Sequence, residues 1–186
     1  MTTTVWLTGL PSSGKSTLAR VLTDRQRALR PVEHLDGDVI RADLFPELGF
    51  DRRDRMENVR RIGLLAAMFA AHDVLSVVSV IAPFRESRDA VRAAHAEQGL
   101  TFLEVYVDAP AQVCAERDVK GLYARARTGR ISGLTGADAA YEAPTTPDLR
   151  LRTAESSIDE CVSRIEELIA LSARARLVAV ADGAQG

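Results

Sequence analysis

Nine residues near the N-terminus, GLPSSGKST at positions 9–17, limit most strongly what this chain can fold into. They match the phosphate-binding loop pattern G-x-x-x-x-G-K-[ST] at every fixed position. Residues 3–8 before them predict a buried strand, and residues 16–29 carry leucine and valine at helical spacing. A glycine-rich loop between a strand and a helix points its backbone N–H groups at phosphate oxygens. The stretch therefore predicts a nucleotide site.

Each fixed residue of this loop has its own expected role. Lys15 is expected to reach the β- and γ-phosphates of ATP, and Ser16 is expected to be a ligand of Mg²⁺. The remaining expected nucleotide contacts in the loop are Gly9, Ser12, Ser13, Gly14 and Thr17. Lys15 and Lys120 are the only lysines among the 24 basic residues of the chain. A compact ammonium fits between phosphates where a planar guanidinium does not, so Lys120 is a second candidate.

Strand and helix patterns alternate along the rest of the chain. Strands are expected at residues 3–8, 32–35, 74–81, 100–107 and 148–151. This alternation predicts an α/β fold with a doubly wound, mostly parallel five-stranded sheet and helices on both faces. Together with the phosphate loop, it indicates a fold of the P-loop nucleotide-kinase type. We expect one domain over residues 1–172 and a loosely ordered tail over residues 173–186.

Residues 118–147 show no periodicity and are interrupted by glycine and proline. Such a long irregular stretch inside a domain is usually functional or disordered. This one carries Lys120 and several arginines, which favours closure over phosphates. We therefore expect a mobile lid.

Charged side chains follow the predicted strands at the sheet edge where ligands bind in open α/β sheets. Asp36 and Asp38 come after the second strand, so both are expected to face the crevice of the phosphate loop. An alternative is an Asp-Gly turn in which Asp38 only caps the next helix. Arg41 and Arg55 are candidates to bind an anionic group of a substrate, and Arg85 lies at the same edge.

Charge and composition narrow the class of partner. A net charge of −2 gives no bulk attraction to nucleic acid or anionic membranes, so a small-molecule site is expected. Cys114 and Cys161 lack the spacing of a metal site or a disulfide framework. The histidines, His34, His72 and His95, are scattered and favour surface or packing roles. No apolar run reaches 18 residues and no signal-peptide pattern precedes the first strand, so a cytoplasmic protein is expected.

In this order, the motifs resemble those of the adenylylsulfate kinase family. The resemblance runs from the first strand to Leu151. Besides the phosphate loop, its specific parts are LDGD at 35–38, LGF at 48–50, ENVRRIG at 57–63, PFR at 83–85, EVYVD at 104–108, KGLY at 120–123 and YEAP at 141–144. The loop alone is generic, whereas the ordered set is specific.

The resemblance implies a kinase that uses MgATP to phosphorylate the 3′-hydroxyl of adenosine 5′-phosphosulfate (APS), and it implies a homodimer. It implies catalytic roles for Lys15, for Asp38 in orienting or deprotonating the hydroxyl, and for Asp36 in supporting the site or the water shell of the metal. Arg117 is implied beside the ATP adenine. The implied substrate contacts are Asp38, Arg41, Phe50, Arg55, Asn58, Ile81, Ala82, Arg85, Lys120 and Leu134.

Two departures from the family pattern bear on this expectation. The family usually has serine before the Pro-[Phe/Tyr]-Arg triplet, where this chain has Ala82. Without a hydroxyl there, only direct in-line transfer is expected. The family lid usually presents phenylalanine before Thr-Gly as one face of an adenine clamp, where this chain has Leu134. Loss of ring stacking is worth about 1 kcal/mol, so weaker APS binding or an altered substrate is expected.

Two other functions stay open at this stage. A kinase of the same scaffold acting on a different small-molecule hydroxyl is favoured by Leu134. A non-catalytic ATP-binding module is expected to lose Lys15, Asp38 or the basic residues of the lid, and none of these is lost. A GTP switch requires an N-K-x-D motif, but the only asparagine, Asn58, is followed by Val59.

Overall fold

In the computed structural model, which describes residues 2–183 and the side chains of residues 2–177, five parallel strands form one sheet. The strands are β1 (Thr3–Thr8), β2 (Val32–Asp36), β3 (Leu75–Ser79), β4 (Thr101–Asp108) and β5 (Leu149–Arg152). Their spatial order is β2-β3-β1-β4-β5, and every pairing is parallel. The predicted five-stranded parallel sheet is confirmed.

Helices cover both faces of this sheet. They are α1 (Lys15–Arg27), α2 (Gly37–Leu44), α3 (Arg52–Ala71), α4 (Arg85–Glu97), α5 (Ala111–Arg117), α6 (Leu122–Arg127) and α7 (Ile158–Gly183). Side chains of β1 alternate between the two layers. Val5 and Leu7 pack in a cluster with α1 and α7, whereas Trp6 packs in a second cluster with α3 and α4. The central strand is thus buried on both sides, as is typical of parallel sheets.

This topology brings the carboxyl ends of the parallel strands to one edge. There β1 continues into the phosphate loop, β2 ends at Asp36 and β3 leads to Ala82. The motifs separated in sequence therefore meet along one crevice, which is where open α/β sheets bind ligands.

The segment predicted as a lid is partly helical, which corrects the expectation of a wholly irregular stretch. Helix α6 lies within it, because the Asp118 carboxylate accepts hydrogen bonds from the backbone N–H groups of Tyr123 and Ala124 and so caps the first turn. The glycine and proline residues on either side had obscured this short helix.

Helix α7 begins at a capping box, in which Ser157 and Glu160 each bind the backbone N–H of the other. The helix continues through residue 172 to Gly183, so secondary structure does not break at the predicted domain boundary. The loose order expected for residues 173–183 stays a prediction, and residues 184–186 lie outside the described residues. Among the described helices, none has the length and apolar character needed to span a bilayer.

Candidate active site

The loop after β1 closes around the ammonium group of Lys15. Its Nζ donates hydrogen bonds to the carbonyl oxygens of Gly9 at 2.9 Å and Leu10 at 2.6 Å, and the residue is 8% exposed. Burial lowers the pKa of Lys15 to about 8, and the charge of Asp38 opposes this shift. A cation held this far from water gains stability from an anion, so the loop is ready to exchange its carbonyl contacts for phosphate oxygens.

Close packing explains why the loop begins with glycine. A Cβ atom on Gly9 would lie 2.4 Å from the carbonyl oxygen of Val107, so only glycine lets the loop cross the end of β4. The far side of the loop is fixed by Thr153, whose hydroxyl donates to the carbonyl of Ser13 at 2.8 Å. Thr153 also accepts the guanidinium of Arg117 on its own carbonyl at 2.7 Å. Thr153 was not among the predicted site residues, because it lies far along the chain in no recognised motif.

Asp36 lies directly beside the hydroxyl of Ser16. Its Oδ2 accepts hydrogen bonds from Ser16 Oγ at 2.6 Å and Ser79 Oγ at 3.0 Å, and its Oδ1 accepts the backbone N–H of Asp38 at 3.0 Å. Burial alone would raise the pKa of Asp36, but these hydrogen bonds outweigh it and the pKa is lowered. Because its side chain accepts the backbone N–H of Asp38, Asp36 is the N-cap of α2. This corrects the alternative that gave the capping role to Asp38.

These oxygens suit magnesium. A hydroxyl and carboxylates are the hard ligands that Mg²⁺ prefers, and Mg²⁺ usually takes only one or two protein ligands beside phosphates and water. No cluster of three or more His, Cys, Asp or Glu side chains that could hold a metal occurs within the described part of the chain. The donor set fits an ion that shares its coordination with a nucleotide, held by Ser16 with Asp36 behind it.

Two adjoining cavities open at this sheet edge. The loop cavity, of about 370 Å³, lies between the phosphate loop and the start of α7. The predicted nucleotide residues that line it are Ser12, Gly14, Lys15, Ser16, Thr17, Arg117 and Lys120. The lid cavity, of about 590 Å³, lies under residues 131–135. The residues that line both cavities, and so form the wall between them, are Asp38, Val80, Ile81, Lys120 and Leu122.

The lid cavity brings together nearly all the predicted substrate residues. Those that line it are Asp38, Arg41, Phe50, Arg55, Asn58, Ile81, Ala82, Lys120 and Leu134. Arg85 is the exception, because it is exposed at the start of α4 and is not part of the lining. The amide oxygen of Asn58 is buried without a hydrogen-bond partner, so it is free to bind a polar group in the cavity.

The two predicted faces of an adenine clamp differ in their surroundings. Phe50 is 72% exposed, and the guanidinium of Arg41 stacks on its ring at 4.0 Å from the centroid. Leu134 is 8% exposed and packs in a small cluster with Leu10 and Tyr123. The aliphatic side of the cavity is thus a fixed wall, whereas the aromatic side is accessible.

Hydrogen bonds hold the lid against the rest of the site. The ammonium of Lys120 pairs with the carboxylate of Asp38. Arg55 donates to the carbonyl of Phe50 at 2.6 Å, to that of Gly133 at 2.5 Å and to the hydroxyl of Thr135 at 2.5 Å. The guanidinium therefore ties helix α3 to residues 133–135 of the segment predicted as a lid.

Comparisons with known proteins fit this arrangement of loop, aspartates and lid. The model of the adenylylsulphate kinase family matches residues 1–152. The chain belongs to the adenylylsulphate kinase family. An adenylyl-sulfate kinase of Synechococcus sp. (strain JA-3-3Ab) is 50% identical over 163 residues, which is 87% of this chain and 90% of that protein.

Two solved structures of the family extend this comparison. The Mycobacterium tuberculosis APS kinase CysC in complex with AMPPNP and APS matches with a TM-score of 0.86 and 42% identity, over 90% of this chain and 96% of that one. A hexameric APS kinase from Thiobacillus denitrificans matches with a TM-score of 0.68 and 33% identity, over 91% of this chain and 29% of that one. Adenylylsulphate kinases use ATP with Mg²⁺, which agrees with the donor set at Ser16.

The position where the family usually has serine is enclosed in this member of the family. Ala82 is 1% exposed and has a φ of 44°, in the left-handed region that disfavours residues with a side chain. Its carbonyl accepts a hydrogen bond from Arg88 at 2.7 Å, which helps to hold this conformation. The wall of the lid cavity therefore presents a methyl group and a strained backbone at this point.

Arg88 was not among the predicted site residues, but it contacts the wall of the lid cavity. It is 1% exposed and donates to the Glu104 carboxylate at 2.8 Å and to the Glu142 carbonyl at 2.7 Å, besides the carbonyl of Ala82. It thus joins the wall of the lid cavity to the C-terminal part of the lid segment. A glutamate between the apolar residues Leu103 and Val105 of strand β4 was the available signal, because a buried carboxylate requires a cationic partner.

Proposed function

We propose that this chain transfers the γ-phosphoryl group of MgATP to the 3′-hydroxyl of adenosine 5′-phosphosulfate, giving 3′-phosphoadenosine 5′-phosphosulfate and ADP. The observation that carries the proposal is the wall that Asp38, Ile81 and Lys120 provide to both cavities. A phosphate chain held by the loop on one side of this wall would lie next to a hydroxyl on the other. Membership of the family and the APS bound to the Mycobacterium tuberculosis relative support the same reaction.

The residues divide the work of a direct in-line transfer. The bond from the γ-phosphorus to the β–γ bridging oxygen breaks as the bond to the 3′-oxygen forms, and the hydroxyl proton passes to Asp38. Lys15 neutralises charge on the β- and γ-phosphates, and magnesium held by Ser16 would add to this neutralisation. Lys120 must leave Asp38 for the carboxylate to accept the proton, and it can then contact the transferring group. Ala82 offers no hydroxyl for a phosphorylated intermediate.

For the acceptor, we propose that the adenine lies between Phe50 and Leu134. The exposed ring of Phe50 offers one face and the fixed side chain of Leu134 the other. Asn58 would bind a polar group through its unpaired amide oxygen. Arg41 and Arg55 are close enough to the cavity to contact phosphosulfate, although Arg55 already holds the lid. The proposed contact of Arg85 requires its side chain to turn inward from the start of α4.

A coupled assay of ADP release tests the reaction. MgATP should release ADP with APS, and far more slowly with adenosine 5′-monophosphate or without an acceptor. Equal rates with the two nucleotides would contradict selectivity for phosphosulfate. Equal rates with and without acceptor would indicate an ATPase, and no release under any condition would indicate a non-catalytic ATP-binding module.

The second candidate is a kinase that phosphorylates the hydroxyl of a different small molecule. Leu134 favours it, because the adenine clamp of this chain lacks the aromatic ring that the family usually has there. Leu134→Phe should restore stacking worth about 1 kcal/mol and tighten APS binding roughly fivefold. Calorimetric titration with APS measures this, and a melting curve of the variant reports whether the larger ring fits the cluster. Unchanged APS affinity in a stable variant would remove the clamp from the proposal.

We further propose that the chain forms a homodimer in the cytoplasm. Leu64 and Met68 on α3 are each more than half exposed, which favours a covering partner. Cys114 and Cys161 are buried free thiols, as is common in reducing compartments. Light scattering should give twice the 20.2 kDa mass of one chain, and a monomer at micromolar concentration would contradict the dimer.

A further inference from the structure

A histidine on β2 reaches the magnesium side of the site through one serine. His34 Nε2 lies 2.9 Å from Ser79 Oγ, and Ser79 Oγ donates to Asp36 Oδ2 at 3.0 Å. The same Oδ2 accepts the hydroxyl of Ser16 at 2.6 Å. The result is a continuous chain of hydrogen bonds from the edge strand of the sheet to the expected metal ligand.

Strand register explains this chain. Asp36 on β2 lies directly opposite Ser79 on β3, and His34 lies two residues before Asp36 on the same face of β2. A diagonal neighbour on the same face is within reach of a long side chain, so the imidazole can lie against the serine hydroxyl. Ser79 is 3% exposed, so its hydroxyl depends on protein partners.

Counting protons sets the direction of each bond. A serine hydroxyl has one proton to donate, and Ser79 gives it to the carboxylate of Asp36. Ser79 Oγ can then only accept from the imidazole, so Nε2 of His34 carries a hydrogen. The chain therefore runs from His34 to Ser79 to Asp36, and it ends on the oxygen that faces Ser16.

We propose that His34 and Ser79 are positioning residues for the magnesium that accompanies ATP. They fix the rotation of the Asp36 carboxylate, whose other oxygen is held by the backbone N–H of Asp38. With both oxygens restrained, Asp36 keeps Ser16 oriented and offers a fixed acceptor to the water shell of the ion. Partners behind metal-binding groups act in this way in many metalloproteins. The inference rests on the proposed use of MgATP, but not on the identity of the acceptor.

The test compares ATP binding by calorimetry with Mg²⁺ and with EDTA at equal ionic strength. The ratio of the two dissociation constants measures how much magnesium strengthens binding. Ser79→Ala should lower this ratio about tenfold and leave ATP binding in EDTA unchanged. Tenfold is the low end of the losses in metal affinity when a residue that hydrogen-bonds to a metal ligand is removed. His34→Leu should lower the ratio by a smaller factor, because it acts through Ser79.

His34→Gln is the rescue variant, since its amide nitrogen can replace Nε2 as a donor and should restore the ratio to within about twofold. His72→Gln is the matched control, because His72 is exposed at the end of α3. If Ser79→Ala does not fold, the comparison of His34→Leu with His34→Gln tests the proposal. Both variants should fold, since His34 is only half-buried on an edge strand.

Three outcomes would overturn the inference: an unchanged ratio in Ser79→Ala, an equal loss of affinity in Mg²⁺ and EDTA, or no difference between His34→Leu and His34→Gln. Normal APS phosphorylation together with an unchanged ratio would overturn this inference alone. A lowered ratio in a protein that does not phosphorylate APS would support it and contradict the proposed function.

Discussion

At the residue scale, burial makes the charge of Lys15 depend on what the phosphate loop holds. With a pKa near 8 in the described structure, the group loses its proton as the pH rises through 8. Bound phosphates raise this pKa, so binding favours the protonated form and ATP affinity should fall above pH 8, approaching tenfold per pH unit. Calorimetry from pH 7 to 9.5 should also detect proton uptake near pH 8. Lys15→Arg should bind ATP more weakly but without this pH dependence, and an identical profile in both proteins would contradict the argument.

The proposed role of Asp38 as proton acceptor also depends on a single side chain. Asp38→Asn keeps the shape of the side chain but removes the proton acceptor, so kcat should fall about 10²- to 10⁴-fold. ATP affinity should change little, because Asp36 rather than Asp38 contacts Ser16. Steady-state kinetics and ATP titration separate the two effects. Asp43→Asn, on the exposed part of α2, is the control. A variant that mainly loses ATP binding would place Asp38 at the metal instead.

At the element scale, Arg88 connects α4, β4 and the wall of the lid cavity. Arg88→Met leaves the buried carboxylate of Glu104 without its main partner and should cost about 3–5 kcal/mol of unfolding free energy. Adding Glu104→Leu should recover much of that loss, because no buried charge remains. The double variant should still have a low kcat, since the carbonyls of Ala82 and Glu142 lack their donor.

Denaturant unfolding of these variants measures the loss and recovery of unfolding free energy, and steady-state kinetics of the same proteins measures kcat. Arg92→Met is the control, because Arg92 also contacts Glu104 but is 36% exposed, and it should cost less than about 1 kcal/mol. Full activity in the stable double variant would reduce Arg88 to a purely structural residue.

At the scale of the whole molecule, local patterns predicted most of the fold. Alternating apolar runs identified all five strands of the described sheet, and the phosphate loop predicted the position of Lys15. The Ser157/Glu160 capping box marked the start of α7. These features depend on neighbouring residues, so a single sequence contains them.

Features that depend on distant residues were less predictable. The contact of Thr153 with the loop, the chain from His34 to Asp36 and the network of Arg88 all join segments far apart in sequence or across strands. Their geometry follows from strand register and helix packing, which spacing alone does not give. Residues of separate motifs line one cavity because the topology brings these motifs to the edge of the sheet where the parallel strands end. Arg85 does not line this cavity, because its side chain is exposed at the start of α4.

We expect the folded unit to end within α7. The part of α7 before residue 172 contributes Cys161, Val162, Ile165 and Ile169 to the main core, whereas residues 174–177 are exposed. Arg176 nevertheless donates hydrogen bonds to the hydroxyls of Thr2 at 2.5 Å and Thr101 at 3.0 Å. A chain ending at residue 172 loses these contacts but none of the core residues found among the described side chains, so it should fold, retain kcat and lose about 1–2 kcal/mol of unfolding free energy.

Thermal unfolding should show this loss as a decrease in Tm of about 2–8 °C for a domain of this size. A chain ending at residue 157 is the opposite control. It removes all of α7 and exposes Leu18, Leu22 and Leu151, which pack in the same cluster, so it should not fold. If the chain ending at residue 172 does not fold, the end of α7 belongs to the domain. The hydrogen bonds of Arg176 to the starts of β1 and β4 would then be essential to the sheet.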